Sequence, residues 1–334
     1  MRRLVRIVFF LFLAVIGLAV AALAAFSWQA ERRETREASE AAPPTGRYLK
    51  TAEVEMFVQE AGPADGPVVL FVHGTGAWSE TWRESMSMLA KEGFRAVAID
   101  LPPFGYSQRP DTPRYGKQDQ GKRIIGVLDA LEVRRAILVG HSFGGGPTVE
   151  ATLLAPGRVR ALILVDAALG VRAGDAQMPP PSPLMQAFFA IRPLRDSVVA
   201  AFLTNPSFTR RLLQAFIDDP SRATDERVAI YQRPLAVKGS TRAVGNWLPA
   251  LLAPAGTSAS EDPASYRSLR MPVFVIWGDR DTITPLDQGR RLVDITPGAQ
   301  LLVMPRVGHI PQIEDSSQFN GLLLKAVSGL SAVP

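Results

Sequence analysis

The chain has 334 residues, 47% of them hydrophobic and 21% charged, with 37 basic and 32 acidic side chains and a formal net charge of +5. That composition excludes a disordered chain and allows a large core. With no long Lys/Arg run in the main body, the basic excess is expected to be a solvated Arg-rich surface and not a nucleic-acid site. Cysteine is absent, which excludes disulfides, thiol nucleophiles and thiolate metal sites, and there are only three histidines, His73, His141 and His309.

In chain order, the first 28 residues stand apart. The 20 residues from Ile7 to Phe26 carry no charge, and as a helix they would reach about 30 Å, enough to cross a bilayer core. Arg2, Arg3 and Arg6 precede them and Trp28 sits where an interfacial aromatic would. We read residues 1–28 as an uncleaved single-pass anchor with the N-terminus inside and the remaining chain outside. A signal peptide cleaved near Ala22-Leu23-Ala24, leaving a secreted protein, is the alternative. Residues 29–46 are polar, end in AAPPTG and are expected to be a stalk.

From residue 47 to 168, short apolar runs alternate with helical stretches. VEMFVQE (54–60) alternates and predicts an edge strand, and PVVLFVHG (67–74) predicts a buried strand ending in a turn. A helix over 85–94, a strand over 95–105 running into a loop, a helix over 118–131 and strands over 135–140 and 159–168 follow. Residues 169–267 break the rhythm. After MPPPSP (178–183) come apolar helical segments at 184–191, 196–204, 208–217, 224–231 and 242–253, expected to form a lid over one end of the sheet. Strands at 271–279 and 299–305 and a helix at 316–330 complete a second core segment, 268–334. The fold class is α/β: a mostly parallel sheet flanked by helices. In such sheets functional groups gather at the carboxyl ends of the strands.

Gly140-His141-Ser142-Phe143-Gly144 follows one of these strands and fits G-x-S-x-G. That pattern suits a strand-to-helix turn so tight that the serine Oγ projects from it, with a helix N-terminus beneath to favour negative charge. Serine needs a base. His141 is fixed beside Ser142 and its ring should point away; His73 is placed to support its own turn. His309, in a loop after the last strand, is free to reach the serine. The imidazole in turn needs a carboxylate. WGDRDTITP (277–285) offers Asp281, deeper in the loop, with Asp279 as a turn cap, and Asp166 at the end of LILVD is a reserve acid.

These residues, with His73-Gly74-Thr75-Gly76, DLPPFGYS (100–107) and Gly308-His309, make the chain resemble the α/β-hydrolase superfamily over roughly residues 50–167 and 268–330, in its serine-nucleophile, lidded esterase/lipase-like branch. The resemblance implies an oxyanion hole of the Thr75 and Phe143 N–H groups. DLPPFGYS has Pro103 where the family often has glycine, which stiffens that loop. Haloalkane dehalogenases and epoxide hydrolases of this fold carry aspartate at the Ser142 position, so serine there argues against both.

The expected activity is hydrolysis of hydrophobic or lipid-like carboxylic esters through an acyl-enzyme. The alternatives are C–C bond hydrolysis or cofactor-free perhydrolysis and, in a different class, a non-catalytic binding module. No cofactor and no metal are expected, since phosphate-loop, zinc-ligand and dinucleotide spacings are missing; the expected partners are a small-molecule ester and the membrane. Among the lid aromatics Phe188, Phe189, Phe202, Phe208, Phe216, Tyr231 and Trp247, a few are expected to line an apolar pocket, with Trp78 and Trp82 as candidates for the same wall. Arg192, Arg195, Arg210 and Arg211 are expected to be a solvated face, with anion recognition as the alternative.

Overall fold

The computed structural model describes residues 2–110, 114–171, 182–252 and 258–330. Eight strands form one sheet: β1 (Gly46–Lys50), β2 (Glu55–Ala61), β3 (Val68–Val72), β4 (Arg95–Ile99), β5 (Ala136–His141), β6 (Val159–Val165), β7 (Val273–Gly278) and β8 (Gln300–Met304). Their spatial order is β1-β2-β4-β3-β5-β6-β7-β8. β2 runs antiparallel to β1 and β4, and all other neighbours are parallel.

The central strands are buried on both faces. Every residue of β3 (VVLFV) and β5 (AILVGH) is buried, as expected where helices cover a parallel sheet on both sides. Two apolar clusters result, one containing Leu70, Leu138 and Leu164, the other Phe71, Val139 and Ile163. Alternate residues of a strand thus feed opposite layers.

From β3 the chain crosses to β4 on one side, then returns to place β5 on the other. The carboxyl ends of β3 and β5 therefore flank the point where the winding reverses, which is where an open α/β sheet leaves a crevice. Ser142 follows β5 and His73-Gly74 follows β3.

The run expected as an edge strand lies second from the edge, with β1 outside it. Only Leu49 of β1 is buried, so this strand carries no apolar run that would reveal it. The lid contains helices Pro183–Ala190, Arg192–Phe202, Pro206–Phe216, Asp225–Gln232 and Ser240–Leu252. Most of MPPPSP (178–183) lies outside the described residues.

The N-terminal helix runs unbroken from Arg2 to Arg33. The segment expected as a stalk lies against the lid. Ala30 is buried, the Arg33 side chain donates to Leu235 O at 3.0 Å, Glu34 accepts from Thr241 N at 3.0 Å, and Arg36 pairs with Val237 in a β-bridge.

Phe71 of β3 is fully buried and its ring lies 4.9 Å from that of Trp82. Phe71→Ala should cost about 3–5 kcal/mol through the cavity it leaves, read as a lower urea midpoint at unchanged slope.

Candidate active site

Ser142 sits at φ 50°, in the left-handed region that a non-glycine residue rarely adopts. Its neighbours make that turn possible. A Cβ on Gly140 would lie 2.5 Å from the Thr148 hydroxyl, and one on Gly74 would lie 2.7 Å from His141 Nδ1. At Gly144 a Cβ would run into His73 O. The helix Gly145–Leu154 begins directly after the turn, so its free N–H groups lie under the serine.

His309 Nε2 lies 2.7 Å from Ser142 Oγ, and His309 Nδ1 lies 2.8 Å from Asp281 Oδ2. All three residues are buried. Asp281 is held by its own loop: Oδ1 accepts from Ile283 N at 2.7 Å and Thr284 N at 2.9 Å, and the Thr284 hydroxyl donates to Oδ2 at 2.6 Å. Burial alone would raise its pKa. The hydrogen bond and charge of His309, with the Thr284 hydroxyl and Asp166, outweigh that and hold the carboxyl below its usual range.

Asp279, the local alternative, accepts from Arg306 N at 2.6 Å and so fixes the turn between two loops. Asp166 does reach the site. Its φ is 40° and Oδ1 accepts from Gly278 N at 3.0 Å. Burial, then the adjacent Asp281 charge, push its pKa well above the usual carboxylate range. The shift favours the protonated form of Asp166 beside the ionised Asp281, as expected where two carboxyls crowd one buried site. Ligand-type atoms of Asp166, Asp281 and His309 lie within 4.8 Å of one another, a grouping that could hold a metal ion. Both ring nitrogens of His309 are already engaged, by Ser142 and Asp281, so the residues as arranged form a proton-transfer chain.

The other histidines support the site. His73 Nδ1 bonds Gly74 O at 2.8 Å and its Nε2 accepts from Leu101 N at 2.8 Å. His141 Nε2 donates to His309 O at 2.7 Å. Burial pushes His73 down to about 4; burial, then the nearby His309, push His141 down to about 3. Both rings are neutral at pH 7.

Two residues that sequence reasoning did not single out matter here. Thr284 bonds Asp281 and lies 3.2 Å from His309 Nδ1; its place inside DTITP was the available signal. Glu314 accepts from Gly308 N at 2.7 Å, and from Asp218 N and Asp219 N at 2.9 and 2.8 Å. It thereby ties the histidine loop to the lid. Nothing in the spacing of Glu314 announces this.

Above Ser142 a largely apolar cavity opens between core and lid, lined by Thr75, Leu213, Phe216, Tyr231, Trp247 and others. Trp247 is buried there, its ring edge-to-face with Phe104 at 5.0 Å and Phe143 at 5.2 Å. Trp78 and Trp82 do not line this cavity, contrary to expectation. Trp78 turns toward the Phe57–Tyr106–Val237 cluster, where its Nε1 donates to Ile230 O at 2.8 Å. Trp82 packs under the sheet against Phe71 and Phe319. Both are bulky residues filling layers between elements. Of the other lid aromatics, Phe188, Phe189, Phe202 and Phe208 also lie off the cavity wall.

Arg109 is the cavity's one Lys/Arg/Asp/Glu side chain among the described residues. It donates to Pro103 O, Gly105 O, Lys238 O and Ser240 Oγ. The lid arginines lie elsewhere: Arg195 pairs with Asp196 at 2.7 Å, Arg210 with Asp225, and Arg211 lies over the Phe208 ring.

The α/β-hydrolase fold family model matches residues 67–316. The chain is 32% identical to 2-hydroxymuconate semialdehyde hydrolase from Pseudomonas sp. strain CF600, over 84% of this chain and 93% of that one. In structure it is similar to a meta-cleavage product hydrolase from Pseudomonas fluorescens IP01, with a TM-score of 0.67 and 27% identity over 85% of this chain and 98% of the other. It is similar also to Est816, described as an N-acyl homoserine lactone degrading enzyme, with a TM-score of 0.65 and 26% identity over 84% and 99% of the two chains. The chain belongs to the α/β-hydrolase fold family.

Two outcomes follow from the packing and the charges. Gly144→Ala should destabilise by about 1–3 kcal/mol, since the new methyl must displace backbone, measured by thermal unfolding. With only three histidines, side-chain NMR can follow each ring. His73 and His141 should stay neutral down to about pH 5, whereas an unperturbed imidazole titrates near 6.5. Because their folded pKa values lie below the unfolded ones, the stability they contribute is full above about pH 6.5 and is lost as pH falls toward those folded values.

Proposed function

We propose that the protein is a serine hydrolase that attacks a carbonyl carbon through Ser142, His309 and Asp281, and that the bond it cleaves is a C–C bond beside a ketone in a carboxylate-bearing small molecule. The observation that carries the bond type is the near-full-length similarity to hydrolases of meta-cleavage products. This reverses the order of expectation drawn from the motifs, which put esters first.

His309 Nε2 takes the proton as Ser142 Oγ adds to the ketone. The N–H groups of Phe143 and Thr75 hold the resulting oxyanion, a contribution of about 3 kcal/mol per donor. The tetrahedral adduct collapses, the C–C bond breaks, and its electron pair passes into the conjugated fragment. That carbon takes the proton from His309. Water then loses a proton to His309, attacks the acyl-serine and releases the acid. One water is consumed, with one acid and one protonated carbon fragment formed. Asp281 stabilises the imidazolium at each stage.

Arg109 supports a carboxylate-bearing substrate. Its four hydrogen-bond acceptors are neutral, so no carboxylate among the described residues pairs directly with the guanidinium, on which Glu34 and Asp100 act only through their charge.

A second reading, ester or lactone hydrolysis by the same acyl-enzyme, is favoured by the apolar wall of Phe216, Tyr231 and Trp247 and by the likeness to the lactone-degrading enzyme. We also infer that the N-terminal helix spans a membrane. It is apolar and long enough to do so, and none of its apolar window is buried; the Arg distribution supports an inside N-terminus.

Ser142→Ala should abolish turnover of a 2-hydroxy-6-oxo-dienoate, followed by loss of its absorbance, while thermal stability stays intact. Retained turnover would overturn the assignment of Ser142. p-Nitrophenyl ester hydrolysis without dienoate turnover would move the assignment to the second reading. Arg109→Gln should raise KM for the dienoate well above any change for a neutral p-nitrophenyl ester; equal changes for both would remove Arg109 from substrate recognition.

A further inference from the structure

The first lid helix, Pro183–Ala190, reads PLMQAFFA: it has no charged residue and no buried residue. Leu184 is 82% exposed and Ile191, just after the helix, 52%. An apolar element so exposed calls for a cover.

Its position relative to the N-terminal helix shows which cover fits. Ser27 Oγ lies 2.8 Å from Ser197 Oγ on the second lid helix, Arg192–Phe202. Seven residues further on, Glu34 bonds Thr241 N, and the Thr241 hydroxyl lies 2.7 Å from that of Thr204. The stretch 27–34 therefore runs parallel to 197–204. Followed backward, the second lid helix descends beside the N-terminal helix. At 1.5 Å per residue, Arg192 lies about 7.5 Å below Ser197, level with residue 22. Residue 22 lies within the uncharged stretch Ile7–Phe26.

The last lid helix, Ser240–Leu252, descends to the same depth. Thr241 meets Thr204 at its start, and Asn246 accepts from Arg195 at 2.8 Å farther along. It thus runs antiparallel to the second lid helix and carries Leu251 and Leu252 about 9 Å beyond the Arg195 level. Leu252 is 51% exposed. Ile191, Leu251 and Leu252 thus sit at the same end of the lid, beside the apolar part of the N-terminal helix, and the first lid helix, which carries Leu184, joins the second at that end.

We propose that this end of the lid, the first lid helix together with Leu251 and Leu252, is seated in the lipid bilayer that the N-terminal helix crosses. The seating rests on the reading of that helix as a membrane span. It adds that the catalytic domain lies on the membrane with its lid partly immersed. The occupant is lipid, because the register places Ile191, Leu251 and Leu252 at the depth of the span's own apolar residues, and the exposed apolar helix that ends just before Ile191 continues the patch. Trp28 and Arg32, stacked at 4.7 Å, then lie at the headgroup level above it.

The chain has no native cysteine, so single-cysteine variants of the full-length protein can carry an environment-sensitive nitrobenzoxadiazole label. Leu184→Cys and Leu252→Cys would be compared in phosphatidylcholine/phosphatidylglycerol proteoliposomes with Gly17→Cys in the span and Lys91→Cys on the exposed core. The expected result is blue-shifted emission at 184 and 252 that is largely lost when phosphatidylcholine bearing an acyl-chain nitroxide is included, as at 17, with neither effect at 91. Water-like emission at 184 and 252 beside lipid quenching at 17 would overturn the seating and leave the span intact. Blue-shifted emission insensitive to the nitroxide lipid would assign the patch to a second copy and overturn it as well. Absence of lipid quenching at all four positions would overturn the span and the seating together.

Discussion

The site depends on one backbone conformation, that of Ser142 at φ 50°. A side chain held in the left-handed region costs about 1–3 kcal/mol and persists only where the surroundings force it. Here the turn after β5 meets the end of β3 so closely that Gly74 and Gly144 leave no room for a Cβ, and Gly140, paired with Val72, leaves none against Thr148. The rigid parallel pairing of those strands fixes the approach. The serine is pushed to the crevice because the turn has no other way to pass from strand to helix.

His309, the proposed base, is positioned as firmly as Ser142, the proposed nucleophile. His309 O accepts from His141, His309 N donates to Phe216 O at 2.7 Å, and the preceding Gly308 N donates to Glu314. Around Asp281, the Ile283 N–H and the Thr284 N–H and hydroxyl supply donors to a carboxylate in a buried environment. Both Asp281 oxygens and both His309 ring nitrogens thus have stated partners, which limits the penalty of keeping them inside a core.

Much of this was legible in the sequence because the chemistry left few choices. One G-x-S-x-G turn and three histidines, two of them tied to turns, left His309 as the base. Depth in the loop favours Asp281 over Asp279 and Asp166, and Asp281 is the carboxylate on His309 Nδ1, but loop spacing alone does not say that Asp166 also reaches the site; only the tertiary contacts do. Trp78 and Trp82 were misplaced for a related reason: nearness in sequence to the oxyanion loop says nothing of which face of the chain a bulky ring occupies. β1 escaped notice because four of its five residues are not buried. The lid's helices could be read from their apolar spacing, but not their register against the N-terminal helix, which is written in hydrogen bonds between residues 170 to 207 positions apart.

The bond between His309 N and Phe216 O joins the backbone of the proposed base to the end of a lid helix. The same helix contributes Leu213 and Phe216 to the cavity wall. Selectivity and reactivity therefore share a strut. A lineage that remodels this helix to admit a new substrate also moves the imidazole, so diversification here must proceed by side-chain exchange along the helix and not by replacing the lid wholesale.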